Sequence, residues 1–197
     1  MVEFDETVSS FVVVLDRSTA MAGERLEVVK FAVCRLLSQL GLGDSLGLVA
    51  FADEAVVAVP LRPMGEHHLD DVRRRLCEIE PDDGADLCAG YIMGLGEART
   101  ADLTSGVAVL LVSGAKPDRG ETDPEVLAVV AKSQALEGIA TSTLSVSERC
   151  GVALLAAIAR GGAGEHRAVA QPDAVVVAFS ALTARAMTKD DPFGAAE

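Results

Sequence analysis

Two kinds of apolar pattern alternate along the chain. Residues 11–15 (Phe-Val-Val-Val-Leu) are apolar without interruption and rich in β-branched side chains. That pattern predicts a strand buried on both faces. Leu26, Val29, Val33, Leu36, Leu37 and Leu40 then recur close to a 3.6-residue period, which predicts an amphipathic helix over residues 24–40. Gly41-Leu42-Gly43-Asp44 supplies its stop. Residues 46–52 form a second buried strand, and Asp53-Glu54 turns the chain into residues 55–59. Two strands separated by two polar residues predict a hairpin, so the third strand is antiparallel and lies at an edge. Pro60 and Pro63 are expected to end it.

The second half repeats the alternation. Helices are predicted over residues 67–79 and 86–98, separated by Pro81-Asp82-Asp83-Gly84. Residues 107–112 are a further buried strand, and residues 113–120 are a loop by composition. Asp123 caps a helix over residues 124–136 that has Pro124 in its first turn. A strand at 138–145, a helix near 150–160 and a short strand near 165–170 follow. Gly161-Gly162-Ala163-Gly164 comes after a helix, not before one, so it reads as a flexible turn and not as a phosphate loop. Val175, Val176, Phe179 and Leu182 give the last helix, Asp173 to about Met187, a core-facing stripe. Residues 1–187 form one domain in this reading, and residues 188–197 form a polar tail. Strands alternating with helices predict the α/β class, with a mainly parallel sheet covered on both faces.

Composition narrows the function. The chain has 197 residues, half of them hydrophobic, enough for one sizeable core. Its net charge of −13 excludes a nucleic-acid partner, which would need basic clusters. The one dense basic run, Arg73-Arg74-Arg75, has acidic neighbours and reads as a solvated helix face. No apolar run approaches the ~20 residues that span a bilayer, so no membrane association is expected. The acidic start Met1-Val2-Glu3-Phe4-Asp5-Glu6 lacks the pattern of a signal peptide, and a cytoplasmic location is the expectation. Cys34, Cys77, Cys88 and Cys150 form no Cys-x-x-Cys pair and read as reduced packing residues. His67 and His68 diverge on a helix, and His166 stands alone, so histidine metal binding is not expected.

The chemistry-bearing stretch is the end of the first strand, Asp16-Arg17-Ser18-Thr19-Ala20-Met21. A carboxylate and a hydroxyl two residues apart arrive there at the end of an α/β sheet where ligands bind. With Gly23-Glu24-Arg25-Leu26, the strand ending at Asp53, Asp83-Gly84-Ala85-Asp86-Leu87, Ser113-Gly114-Ala115-Lys116-Pro117 and Gln171-Pro172-Asp173, the chain resembles the von Willebrand factor type A domain family over residues 9–186. The resemblance implies a three-layer α/β/α, doubly wound domain with a six-stranded sheet of order 3-2-1-4-5-6. It also implies a metal-ion-dependent adhesion site built from Asp-x-Ser-x-Ser, a Thr before the third helix and an Asp after the fourth strand. Asp16 and Ser18 match that pattern, whereas Ala20, Ala85 and Ser113 replace its other three residues.

Asp16, Ser18 and Ser113 are therefore the candidate metal ligands of a degenerate site, with one carboxylate where the family has two. No cofactor is expected beyond at most weak Mg²⁺ binding. The favoured function is a non-enzymatic, cytoplasmic protein–protein interaction module. Its partner surface would carry Asp16, Arg17, Ser18, Asp53, Asp86, Ser113 and Lys116. By analogy with bacterial intracellular members of the family, the partner would be an AAA+ ATPase or another component of a bacterial intracellular system. A second reading keeps a Mg²⁺-dependent module in which Asp83 or Asp86 rebuilds the site; Asp86 also reads as a helix N-terminal carboxylate. A third makes the chain an enzyme with Cys88, one turn into a helix, or Asp16 as the reactive group.

Overall fold

The computed structural model describes residues 9–148 and 150–187, so the predicted tail at 188–197 lies outside the described residues. The elements are β1 (Ser10–Asp16), α1 (Glu24–Leu37), β2 (Ser45–Phe51), β3 (Ala55–Pro63), α2 (Leu69–Cys77), α3 (Leu87–Ala98), β4 (Val107–Ser113), α4 (Pro124–Leu136), β5 (Ile139–Ser145), α5 (Val152–Gly161), β6 (Ala163–Ala168) and α6 (Pro172–Met187). They form a six-stranded sheet of order β3-β2-β1-β4-β5-β6. Only β3 runs antiparallel to its neighbour.

Strand β1 is the centre of the domain. Phe11, Val13 and Leu15 join a core closed by α1, α2 and α6, while Val12 and Val14 join a second core closed by α3, α4 and α5. This period of two splits an uninterrupted apolar run between the two faces of the sheet. Helix α3 comes close enough to need glycine at its contacts. A Cβ on Gly90 would lie 2.5 Å from the Phe51 ring, and one on Gly94 would overlap the Val14 methyl group. Tyr91, between them, is fully buried, and its hydroxyl lies 3.0 Å from the Thr141 hydroxyl. Burial pushes the Tyr91 phenol up to about 12.

Three local expectations are corrected. Helix α1 ends at Leu37, a turn before Gly41, as the Ser38 and Gln39 amides turn to the carbonyls three residues back, at 3.2 and 2.9 Å. Gly41–Asp44 is instead a separate turn, in which the Asp44 carboxylate accepts the Gly41 and Ser9 amides. Strand β3 continues through Pro60 to Pro63. Pro60 falls between the Leu48–Val59 and Leu46–Arg62 pairs, where the register shifts, so its missing N–H removes no ladder bond. Gly161–Gly164 is not a flexible turn. Gly161 ends α5 and Gly164 lies in β6; a Cβ on Gly161 would overlap the Ala128 carbonyl and one on Gly164 the Thr141 carbonyl, so this junction is packed closely against α4 and β5.

The Gly94 contact yields a test of how tightly α3 is set. Gly94→Ala should lower unfolding free energy by about 1–3 kcal/mol through overpacking. Adding Val14→Ala should cost less than it does in the wild type, because it removes the clashing methyl groups. Urea unfolding of the two single variants and the double variant measures this coupling.

Candidate functional site

At the end of β1, Asp16 is fully buried, and a buried carboxylate must find donors. Its Oδ2 accepts the Ser113 hydroxyl at 2.7 Å, the Gly114 amide at 3.0 Å and the Ala115 amide at 3.1 Å. Its Oδ1 accepts the Ser18 amide at 2.7 Å. The β1 loop and the β4 loop are thus tied to one side chain. Gly114 fits because its α-carbon lies against Met21, where a Cβ would come within 2.5 Å of the sulfur.

Above this knot the strand ends open into a cleft of about 670 Å³. Ser18, Ala20, Ala85, Gly114 and Ala115 line it, with Arg25, Lys116, Asp118, Glu148 and Gln171 contributing charge and polarity. The Ser18 hydroxyl is buried and has no hydrogen-bond partner among the described residues. Asp118 is joined to Ala85: its carboxylate accepts the Ala85 amide at 3.0 Å, and its own amide donates to the Ala85 carbonyl at 3.3 Å. The Arg25 guanidinium donates to the Ala20 carbonyl at 3.1 Å.

The sequence-predicted residues divide into three groups. Ser18 and Lys116 line the cleft, and Asp16 and Ser113 lie buried beneath it. Arg17 turns away: it pairs with Asp82 at 3.0 Å and lines a smaller hollow of about 270 Å³ beside β3 and α2. The Asp83 amide, and then the Arg17 guanidinium, hold the Asp82 carboxyl below its ordinary value. Asp53 forms an ion pair with Arg119. Asp86 caps α3 by accepting the Ala89 amide at 2.8 Å. Asp83 is exposed and, like Asp86, does not line the cleft. Cys88 is the second residue of α3, not one turn in, and packs against the α3–α4–α5 core outside the cleft. Among the described residues, no group of three or more His, Cys, Asp or Glu side chains could hold a metal ion.

Asp118 and Glu148 were not named individually from the sequence, and Arg25 and Gln171 entered only as positions that carry the family resemblance. Asp118 follows Lys116-Pro117 in the β4–α4 loop, while Glu148 and Gln171 follow β5 and β6. The rule that sheet ligands gather at carboxyl ends of strands would have found all three.

The Asp16 knot predicts a large stability cost for its removal. Asp16→Ala leaves the buried Ser18, Gly114 and Ala115 amides without their acceptor, and should cost about 3 kcal/mol or more. Ser113→Ala removes one donor and should cost about 1–3 kcal/mol. Urea unfolding at pH 7 measures both; near-equal stabilities of Asp16→Ala and wild type would contradict the arrangement.

The comparisons with known proteins agree with this architecture. A family model described as von Willebrand factor type A domain matches residues 11–115. No curated protein matches the chain. Among solved structures, von Willebrand factor type A from Catenulispora acidiphila superposes with a TM-score of 0.79 at 17% identity, covering 91% of this chain. The chain spans 43% of that protein's length. The conserved hypothetical protein BatB from Bacteroides thetaiotaomicron gives 0.71 at 20% identity, covering 90% of this chain and 98% of its own. Proximal thread matrix protein 1 from the mussel byssus, in a form with a zinc-occupied MIDAS motif, gives 0.71 at 16% identity over 91% of this chain and 46% of its own. No helix among the described residues is long and apolar enough to cross a membrane. By the family match, which spans more than half of its length, and by its sheet order, the chain belongs to the von Willebrand factor type A domain family.

Proposed function

We propose that the chain is a non-enzymatic protein-interaction module that engages its partner through the cleft at the strand ends, without a resident cation. The observation that carries this reading is the fate of Asp16. Both of its carboxylate oxygens are already taken by protein donors. Mg²⁺ demands oxygen ligands in near-octahedral geometry and surrenders water reluctantly. Oδ2 could serve it only by giving up a Ser113, Gly114 or Ala115 bond, which leaves the one lone pair of Oδ1 that the Ser18 amide does not take. Ala20 and Ala85 provide no side-chain oxygen in return. The side chains present do not fit a divalent cation, and the rebuilt site through Asp83 or Asp86 is disfavoured by their positions outside the cleft.

The cleft that remains is wide, polar at its rim and small-residued at its floor. It suits a protruding side chain or turn of a folded partner better than a small reactive substrate. Lys116 and Arg25 supply positive charge, and Asp118 and Glu148 supply negative charge, so recognition rests on a mixed-sign surface. Asp16, Ser18 and Ser113 act as the support, Lys116 as a direct contact, and Arg17, Asp53 and Asp86 as flanking residues whose own pairings set the loops. A cytoplasmic location and an AAA+ ATPase as partner belong to this proposal; the ATPase rests on family analogy.

A photo-crosslinking residue placed at Lys116, with a second at the exposed Val129 of α4 as control, tests the reading. The Lys116 position should give a specific adduct that persists in EDTA. Titration calorimetry with the identified partner should then show a loss of tenfold or more in affinity for Lys116→Glu. Saturable Mg²⁺ or Mn²⁺ binding below millimolar concentration, or adducts that require either ion, would overturn it.

A further inference from the structure

We infer that His166 is an acid-sensitive latch that holds the β6 edge of the sheet and the loop leading to the cleft. Strand β6 pairs only with β5, and His166 stands opposite Thr143 in that ladder. The His166 Nδ1 lies 2.8 Å from the Thr143 hydroxyl oxygen. That same hydroxyl donates to the Leu155 carbonyl of α5 at 2.9 Å. A threonine hydroxyl has a single hydrogen. With that hydrogen committed to Leu155, the bond to the ring can form only if Nδ1 carries the proton and donates. Neutral His166 is therefore the Nδ1–H tautomer, and one chain of bonds ties β6 to β5 and β5 to α5.

The other ring nitrogen decides the response to acid. Nε2 is buried and has no partner among the described residues. In the neutral ring it is an uncharged lone pair, whose burial costs far less than that of a charge. In the imidazolium it becomes a charged N–H donor facing no acceptor, which burial penalises heavily. The surroundings offer the charge no relief. Along β6, Glu165 is engaged by Arg167 and by Arg185 of α6, on the sheet face opposite α5. β5 carries no ionisable side chain, and α5 contributes only Arg160, exposed in its last turn and of the wrong sign. Burial accordingly keeps the His166 imidazole below its ordinary range.

The sign of the pH effect follows. The opened or unfolded form takes up the proton first, so protection of β6 is complete above the ordinary imidazole pKa and is lost as pH falls below it. The ring must leave its site to be solvated, and the Thr143 bond goes with it. Strand β6 ends at Ala168, and Ala170 and Gln171, just beyond, line the cleft. Acid thus loosens the part of the rim that follows β6. The link to partner binding rests on the function proposed above; the latch itself does not.

Hydrogen exchange separates the two, because it needs no partner. With intrinsic rates corrected at each pH, protection of the β6 amides should fall by up to about tenfold per pH unit below pH ~6.5. The β1 amides should stay level. In His166→Asn the amide nitrogen takes the place of Nδ1 and donates to Thr143 without titrating, so β6 protection should become flat with pH. A flat wild-type profile, or the same fall in His166→Asn, would overturn the inference. Ring ¹⁵N spectra of the wild type provide a readout independent of the variant: a dominant Nε2–H tautomer at pH 7.5 would overturn it too.

Discussion

The working end of this domain depends on one requirement: the carboxylate of Asp16, closed off from water, must be saturated with donors. A charge in the interior is tolerated only when its lone pairs are met by well-placed hydrogen bonds. Asp16 recruits the amide two residues ahead of it and a hydroxyl and two amides from the end of β4. Two neighbouring strands are thereby joined at their tips as well as along their ladder. The rest of the loop geometry follows. Gly114 must lie flat against Met21, Ser18 turns inward, and Arg17 is turned outward onto Asp82.

A divalent ion and a set of neutral donors are alternative answers to that same requirement. An ion supplies concentrated charge and can extend a ligand position to a partner. Amide and hydroxyl dipoles supply the same neutralisation in distributed form, but they are exhausted internally. Ser113 makes the second answer possible, since a carboxylate at that position would repel Asp16, whereas a hydroxyl donates to it. The internal solution also ties the floor of the cleft to the sheet. Asp118 extends the stitching by holding Ala85 through both its side chain and its backbone.

The fold was legible because its main signals are local. The β-branched runs at 11–15 and 107–112 and the Asp53-Glu54 turn needed no tertiary knowledge, and the Asp86 and Asp123 caps were readable from side-chain chemistry alone. The errors arose where a distant partner decides the outcome. Pro60 stays in β3 because the register shifts there. Gly161 and Gly164 are required where the carbonyls of Ala128 and Thr141, residues distant in the chain, approach too closely for a side chain. At the site, Asp16, Ser18 and Ser113 could be found as family positions, but the hydrogen bonds that join them could not. Asp118 and Glu148 were missed as individual residues: the strand-end rule places their loops at the cleft, but nothing local distinguishes a loop carboxylate aimed at it from a solvated one.

The centre of the sheet and its β6 edge also differ in what holds them. β1 is packed on both faces by apolar side chains, and its residues from Phe11 to Leu15 are at most 1% exposed. β6 is a six-residue edge strand with no buried residue, whose side-chain attachments include the His166–Thr143 bond and the ion pair of Glu165 with Arg185 of α6. Apolar packing carries no charge to titrate or to screen, whereas these contacts do. The cleft draws its floor from the first kind of structure and part of its rim from the second. A domain built this way can keep a fixed cleft floor while one wall responds to conditions, because the two are secured by different physical interactions on strands that β4 and β5 keep apart.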